Sequence, residues 1–220
     1  MSIALMSSGG KDSLAALQAL AAGPGPGPCH LVTTCNEINH RVALHGVPVR
    51  LLEQQARAIG LPLTVIGLPE GCDNETYIAR VEAGLAPLRE AGVDTLVFGD
   101  LYLEDIRGFR EQQFAGTGLA LEFPLWGSDT RTLAERLIDH GMHAIVCCID
   151  REVLPETLLG RRWDHAFLSE LPDGVDPCGE NGEFHTFVNW MPGMDQAVEV
   201  TRGEVHVSHQ RFCMLDLQPA

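Results

Sequence analysis

The chain has 220 residues, of which 45% are hydrophobic and 20% are charged, a composition typical of a globular protein with a buried core. Thirty acidic residues against 15 basic ones give a formal net charge of −15, which disfavours binding to nucleic acid. The sequence lacks a membrane-spanning run and a basic signal segment, and its seven cysteines form no Cys-x-x-Cys pair. We therefore expect a cytoplasmic protein with reduced thiols and without a zinc ribbon or an iron–sulfur cluster.

The most informative stretch lies at residues 7–13, between an apolar run at 3–6 and a helical pattern that begins at Leu14. A strand, a Gly-Gly turn and a helix in this order make a phosphate cradle, because the glycines and the helix amino terminus turn backbone amides toward an anion. A P-loop would need glycine in place of Leu5, and the alternative to a phosphate loop is an ordinary serine-rich turn. We expect nucleotide binding, with a lysine as a mobile charge, by Ser7, Ser8, Gly9, Gly10, Lys11, Asp12 and Ser13.

Strand patterns at 31–34, 63–66 and 93–98 alternate with helix patterns, of which the longest runs from about 74 to 91. Between the first helix and the second strand, the Gly-Pro repeat at 23–28 predicts a surface loop. This alternation indicates an α/β fold with a parallel sheet and helices on both faces.

Gly99 and Asp100 follow the fourth predicted strand, at the edge of the sheet where the first loop also lies. We assign both residues to nucleotide binding, and we expect Asp100 and Asp12 to hold Mg²⁺. A helix cap is the alternative role for Asp100. Arg107 and Arg110 on the next helix either neutralise phosphate charge or lie on the solvated surface.

After Trp126 the strand–helix alternation ends. We therefore predict two domains, a nucleotide-binding domain at 1–126 and a smaller substrate domain at 127–220. Ser128 or Asp129 can cap the helix that opens the second domain.

Two features of the predicted second domain indicate ordinary structure. The apolar run at 144–149 makes Cys147 and Cys148 core residues. Strand patterns on either side of Arg202 and Gly203 predict a β-hairpin with its turn at these two residues.

The segment at 176–186 concentrates polar chemistry, because it holds three carboxylates, an amide, a thiol and an imidazole among glycines. Such a cluster is typical of a functional loop, and a structural turn that braces the second domain is the alternative. We assign catalytic roles in this segment to Glu180, Asn181, Glu183 and His185.

Residues 8–13, together with Gly-Glu-Asn-Gly-Glu-Phe-His-Thr at 179–186, resemble the diphthine–ammonia ligase family, a branch of the adenine nucleotide α-hydrolases. The stretches at 99–100, 124–126 and 159–161 fall in the order that this family shows, so the resemblance spans nearly the whole chain. It implies a HUP-type, Rossmann-like parallel sheet with helices on both faces, followed by a smaller α+β domain whose acidic motif faces the nucleotide.

The resemblance also implies a reaction. A substrate carboxylate attacks the α-phosphate of ATP and releases pyrophosphate, and ammonia then converts the acyl-adenylate to an amide and AMP. The implied cofactors are ATP and Mg²⁺, and the implied partners are a small-molecule or protein-borne carboxylate and free ammonium. Lys11 and Asp12 belong to the implied catalytic set, in which Glu183 orients ammonium or accepts its proton. Asn181 and His185 position the acyl-adenylate.

The sequence departs from the family at 189–192, which reads Asn-Trp-Met-Pro where members often have Asp-Gly-Pro. Its alanine- and glycine-rich composition suggests a bacterial chain, for which a carboxylate other than diphthine is a live alternative substrate. One rival class is a tRNA-thiolating enzyme with the same loop, which the net charge and the absent Cys-x-x-Cys pair disfavour. Another is a nucleotide-binding protein without turnover. The sequence leaves the oligomeric state open, with a homodimer as one candidate.

Overall fold

The computed structural model describes residues 2–208 and 210–220. The amino-terminal part of the chain forms a parallel sheet of five strands. These are β1 (Ile3–Met6), β2 (His30–Asn36), β3 (Leu63–Leu68), β4 (Thr95–Val97) and β5 (Ala120–Glu122). Their order in the sheet is β3-β2-β1-β4-β5, so the first strand lies at the centre and the chain winds outward on both sides.

Helices cover both faces of this sheet. They are α1 (Lys11–Ala22), α2 (Val49–Ile59), α3 (Asn74–Glu90) and α4 (Glu104–Gln113). Because successive side chains of a strand point to opposite faces, Ile3 and Leu5 of β1 join one core cluster with Leu14 of α1, whereas Ala4 joins a second cluster with Leu85 of α3. The predicted parallel sheet between two layers of helices is confirmed.

The carboxyl-terminal part of the chain forms a smaller antiparallel sheet of four strands. Its elements are α5 (Thr130–Asp139), β6 (His143–Asp150), a 3₁₀ turn (Glu156–Leu158), α6 (His165–Glu170), β7 (Phe184–Trp190), β8 (Val200–Ser208) and β9 (Phe212–Pro219). The strands lie in the order β7-β6-β9-β8. The expected α+β unit after the parallel sheet is confirmed.

Two local predictions, the cap of α5 and the burial of two cysteines, are also confirmed. The side chain of Asp129 caps α5 by accepting a hydrogen bond from the Thr132 amide at 2.8 Å. Cys147 and Cys148 are fully buried in β6, and all seven cysteines are free. None of the described helices is both long and apolar enough to cross a membrane.

The predicted hairpin at Arg202 and Gly203 is wrong. β8 runs through both residues without a turn and pairs with β9, with a register irregularity between Arg202 and Val205. A Cβ on Gly203 would lie 2.9 Å from Asp216 Oδ2 on the neighbouring strand. The glycine therefore marks a close approach between two strands at an irregular position, which is the other common reason for glycine in a strand.

Strand β7 packs directly on the loop at 7–13 and joins the two sheets. The Val188 amide donates to the Gly9 carbonyl at 2.9 Å, and the Lys11 amide donates to the Thr186 hydroxyl at 3.1 Å. The side chain of Gln55, buried on α2, donates to the carbonyls of Gly9 at 3.0 Å and Val188 at 2.7 Å. The loop is therefore clamped between α2 and β7, and one core cluster continues from the first sheet into the second.

Replacing Gln55 by methionine tests how much this clamp stabilises the protein. Methionine keeps the volume but donates no hydrogen bond, so two buried carbonyls each lose a donor. We expect the free energy of unfolding, measured by urea denaturation, to fall by about 1–3 kcal/mol. Gln54→Met, the control, changes the partly exposed neighbour on the same helix and should shift the free energy by less than about 0.5 kcal/mol. Equal losses in the two variants would contradict the clamp.

Candidate nucleotide site

The stretch at 7–13 consists of the loop that joins β1 to α1 and the first three residues of the helix. The start of the helix faces a cleft. Gly9 has a φ of +76°, a conformation that favours glycine. The Gly9 amide donates to Ser7 Oγ at 3.2 Å, and the Gly10 amide donates to Ser8 Oγ at 3.4 Å. Gly10 is the N-cap of α1 and makes no side-chain cap. The positive end of the helix dipole is therefore available to an anionic ligand.

Two glycines of the site are also required for packing. A Cβ on Gly10 would lie 2.8 Å from the His45 ring and 3.1 Å from the Thr186 carbonyl oxygen. A Cβ on Gly99 would lie 2.7 Å from the backbone of Asp12. Glycine is needed at both positions because β7 and the end of β4 approach the loop closely. Substituting Gly10 would therefore disturb the contact between the sheets as well as the binding of a ligand.

Two adjoining clefts open at the carboxyl ends of the parallel strands, an inner cleft of about 230 Å³ and an outer cleft of about 310 Å³. The inner cleft extends along β1 and β2, where the buried hydroxyl oxygen of Thr33 has no hydrogen-bond partner. The outer cleft extends to β7. Both clefts are lined by Ser8, Asp12, Asp100, Arg110 and Glu180; the inner one adds Ser7, Ser13, Tyr77 and Gly99, and the outer one adds Lys11, His45, Gly179, His185 and Thr186.

Lys11 does not project freely into these clefts. Its side chain is 2% exposed, and Nζ forms an ion pair with Asp12 Oδ2 at 2.9 Å. Burial is the strongest single influence on the pKa of Lys11 and lowers it, but the carboxylate of Asp12, together with weaker neighbouring charges, raises the pKa overall. The ammonium group is therefore charged and held inside the protein, whereas the sequence suggested a mobile charge.

Asp100 and Arg110 form a bidentate ion pair. Arg110 Nε lies 2.6 Å from Oδ2 of Asp100, and its Nη2 lies 3.1 Å from Oδ1. Asp100 does not cap the following helix, since the N-cap of α4 is Leu103. Arg110 lines both clefts and is placed to neutralise phosphate charge, whereas Arg107 packs over the ring of Trp126 at 4.8 Å and is not among the cleft-lining residues.

The residues present fit a magnesium ion on Asp12 better than on Asp100. Oδ1 of Asp12 is a buried atom without a hydrogen-bond partner, whereas both oxygens of Asp100 already accept from Arg110. Among the described residues no group of three or more His, Cys, Asp or Glu side chains could hold a metal. Mg²⁺ is commonly held by one or two carboxylates together with substrate phosphates and waters, so Asp12 alone suffices when a nucleotide is present.

Glu180 ties the acidic segment to the first sheet. Its Oε1 accepts hydrogen bonds from the amides of Leu101 at 2.8 Å and Tyr102 at 3.4 Å. Burial raises the pKa of Glu180 to about 7, and the neighbouring Asp12 carboxylate acts in the same direction. A carboxyl group that titrates near neutral pH and lines both clefts is suited to accept or donate a proton.

Glu183 and Asn181 are directed into their own loop. Glu183 is 6% exposed, and its Oε1 accepts from the Asp176 amide at 3.1 Å and from Asn181 Nδ2 at 3.0 Å. Neither Glu183 nor Asn181 is among the residues that line the two clefts. Oε2 of Glu183 is buried without a hydrogen-bond partner. The geometry therefore favours a bracing role for Glu183, and Glu180 is the better placed of the two for proton transfer at the clefts.

His185 and His45 form a pair of neutral imidazoles at the outer cleft. Their ring centroids lie 4.7 Å apart, and Nδ1 of His45 lies 3.0 Å from the carbonyl oxygen of Thr186. Burial lowers the pKa of His45 to about 4. Burial also lowers the pKa of His185 well below its usual range, with the charges of His45 and Lys11 acting in the same direction. Nε2 of His185 is buried without a partner, so it can bond to a ligand.

Sequence reasoning missed His45 and Gln55 as members of the site. Gln55 carried a usable signal, because it falls on the apolar face of α2 with Leu51 and Leu52, where an amide needs a buried partner. His45 carried none, since its contacts with the second sheet depend on the tertiary fold.

Comparison with known families agrees with this geometry. Residues 1–119 match the family model described as the diphthamide synthase N-terminal domain, and residues 129–217 match that of the diphthamide synthase C-terminal domain. The chain belongs to the diphthamide synthase family. It is accordingly a member of the PP-loop ATP pyrophosphatase group, and the stretch at 7–13 is the candidate for its phosphate loop. A search among curated proteins returned no match.

The raised pKa of Glu180 predicts a pH dependence of stability. Between about pH 4.5 and about pH 7 the folded protein holds a proton that the unfolded chain has already released. The contribution of Glu180 to the free energy of unfolding therefore falls as the pH rises through this window. Urea unfolding at about pH 5 and about pH 8 should show that Glu180→Gln gains stability relative to the unmodified protein at the higher pH. Because the two proteins differ only at residue 180, all other groups cancel in the comparison, and a difference independent of pH would contradict the assignment.

Proposed function

We propose that the protein is an ATP-dependent ligase that adenylates a substrate carboxylate and amidates it with ammonia, forming AMP and pyrophosphate. The observation that supports this most directly is the position of the acidic segment over the start of α1. It places Glu180 in both clefts with Ser8 and Asp100, and His185 with them in the outer cleft. A phosphate loop and a proton acceptor in one site suit a reaction that first releases pyrophosphate and then deprotonates ammonium.

In the first step, an oxygen of the substrate carboxylate bonds to the α-phosphorus of ATP, and the bond from that phosphorus to the pyrophosphate oxygen breaks. The leaving pyrophosphate lies on the loop around Gly9 and Gly10, at the positive end of α1, with Arg110 beside it. A magnesium ion held by Asp12 would neutralise part of the phosphate charge. These positive charges favour the departure of pyrophosphate, because the negative charge on pyrophosphate increases during the step.

In the second step, ammonium gives one proton to Glu180, and the resulting ammonia bonds to the acyl carbon. The bond from that carbon to the AMP oxygen breaks, AMP leaves with the electron pair, and the nitrogen releases its second proton to the phosphate of the departing AMP. Glu180 suits this role because its pKa of about 7 lets it be unprotonated at the start and hold a proton afterwards. His45 and His185 are neutral, so they add no positive charge that would repel ammonium. His185 Nε2 has no hydrogen-bond partner and can position the acyl group.

The substrate class follows from the family and from the reaction. Family membership supports a carboxylate of the diphthine type, carried by a protein side chain, and a small-molecule carboxylate fits the same chemistry. Free ammonium supplies the nitrogen in this proposal. A thiolating activity on tRNA receives no support, since no cysteine is among the residues that line the two clefts.

The nature of the spent nucleotide tests the proposed class. The protein would be incubated with ATP, Mg²⁺, ammonium and a cell extract that supplies carboxylates, and the nucleotides would be separated by chromatography. We expect AMP and pyrophosphate in equal amounts, because the phosphate loop holds pyrophosphate as the leaving group. ADP and phosphate as the main products would refute the ligase, and the absence of any turnover would favour a nucleotide-binding protein without catalysis.

Two isosteric substitutions separate the roles of the two glutamates. Glu180→Gln removes the proton acceptor at the cleft and should reduce ammonia-dependent product roughly a hundredfold or more, the usual scale for a lost acid–base group. Glu183→Gln keeps an oxygen that accepts from the Asp176 amide and should retain most of the activity. Calorimetry should show unchanged ATP affinity in both variants. The reverse order of effects would return the catalytic role to Glu183.

A further inference from the structure

The ammonium group of Lys11 lies in a cage built for a small cation. Nζ is 5.8 Å from the ring centroid of Trp163 and 5.1 Å from that of Phe184. Both rings are buried, with exposures of 0% and 1%, and Asp12 Oδ2 completes the cage at 2.9 Å. A carboxylate and two aromatic faces are the groups that bind ammonium-type cations most strongly after desolvation. We name Asp12, Trp163 and Phe184 the ammonium cage.

The rings of the cage are held in place from behind. Nε1 of Trp163 donates to the Pro177 carbonyl at 3.1 Å, which fixes the indole against the acidic segment. Phe184 packs edge-on against Phe167, with ring centroids 5.1 Å apart. The two aromatic faces are therefore preorganised, and they keep their geometry whether or not Lys11 lies between them.

The cage communicates with the outer cleft. Lys11 and Phe184 both line that cleft, together with Glu180. Lys11 is also the first residue of α1, directly after the loop that we propose holds pyrophosphate. Rotation of its long side chain would move Nζ from the cage toward bound phosphates and leave a space of the size of an ammonium ion that opens to the outer cleft, which Glu180 also lines.

We propose that the ammonium cage is the binding site of the ammonium substrate and that Lys11 occupies it when no nucleotide is bound. The inference rests on the proposed ligase function. When the nucleotide binds, Lys11 contacts its phosphates and NH₄⁺ takes the place of Nζ between Asp12 and the two rings. One singly charged cation replaces another at Oδ2 of Asp12, while Oδ1, the atom without a partner, is the one that would hold magnesium. Ammonium in this position passes its proton to Glu180 and attacks the acyl carbon.

The substitution Lys11→Ala leaves the ammonium cage permanently empty of the lysine side chain. We expect ammonium chloride to raise the melting temperature of this variant in a saturable way, by roughly 2–5 °C at concentrations well above its dissociation constant. Potassium chloride at the same ionic strength is the reference, since K⁺ has the same charge but donates no hydrogen bond. Lys11→Met is the matched control, because its side chain fills the cage and should abolish the ammonium-specific shift.

Two outcomes of the melting experiment would overturn the proposal. One is an equal response of Lys11→Ala to ammonium and potassium. The other is an ammonium-specific shift that persists in Lys11→Met or in Lys11→Ala combined with Asp12→Asn. If Lys11→Ala does not fold, the kinetic test decides. It compares ammonium use in Phe184→Leu with that in the unmodified protein, as described next.

The kinetic test compares the two phenylalanines of one buried edge-to-face pair. Phe184→Leu removes a ring that faces the cation and should raise the KM for ammonium roughly two- to thirtyfold, the range for loss of one cation–π contact. Its KM for ATP should stay within about twofold, since Phe184 does not belong to the phosphate loop. Phe167→Leu makes the same change on the far side of Phe184 and should leave the KM for ammonium unchanged. Equal increases in the two variants would indicate a packing effect and refute the cage.

Failure of the cage and failure of the ligase are distinguishable. If the unmodified protein forms no ammonia-dependent product, the proposed function is wrong, and the melting experiment alone decides whether the cage binds ammonium. If the unmodified protein forms the product but Phe184→Leu uses ammonium normally, the ligase stands and the ammonium cage does not.

Discussion

The structure depends on the contact between β7 and the phosphate loop. The loop makes few hydrogen bonds with the strands of its own sheet. The Val188 amide and the Gln55 side chain both donate hydrogen bonds to the carbonyl of Gly9. The Thr186 hydroxyl accepts from the Lys11 amide at the start of α1. The loop between β1 and α1 is thus held in place by a strand of the other sheet. Disorder in either part would therefore affect the other.

The same contact creates the electrostatics of the site. Burial where β7 packs on the loop is the main cause that lowers the pKa of His45 and His185. Burial also raises the pKa of Glu180 to about 7. The site therefore holds an ion pair, two neutral rings and one carboxyl group that titrates near neutral pH. This arrangement of charged and neutral groups favours a reaction in which one carboxyl group accepts or donates a proton.

The parts of the molecule that the sequence predicts well are those fixed by local rules. Strand β1 has the predicted bounds, and Asp129 caps α5, because hydrophobic periodicity and capping act over a few residues. The role of Gly203 was misjudged because glycine serves both turns and close strand contacts. The partners of Lys11 and Glu183 could not be predicted, since they depend on how two sheets dock. The acidic segment was identified by composition, but which of its glutamates faces the cleft is a tertiary property.

The net charge of −15 acts in opposite directions on the proposed substrates. ATP and a carboxylate are anions, so the field of the whole protein opposes their approach, and their binding depends on local groups such as Arg110 and the start of α1. Ammonium is a cation, and the same field raises its concentration near the surface. If Lys11 leaves the ammonium cage only when phosphates are present, the anionic substrate must bind before the cation can enter. An order of binding then follows from charge, with the nucleotide bound before ammonium enters the cage.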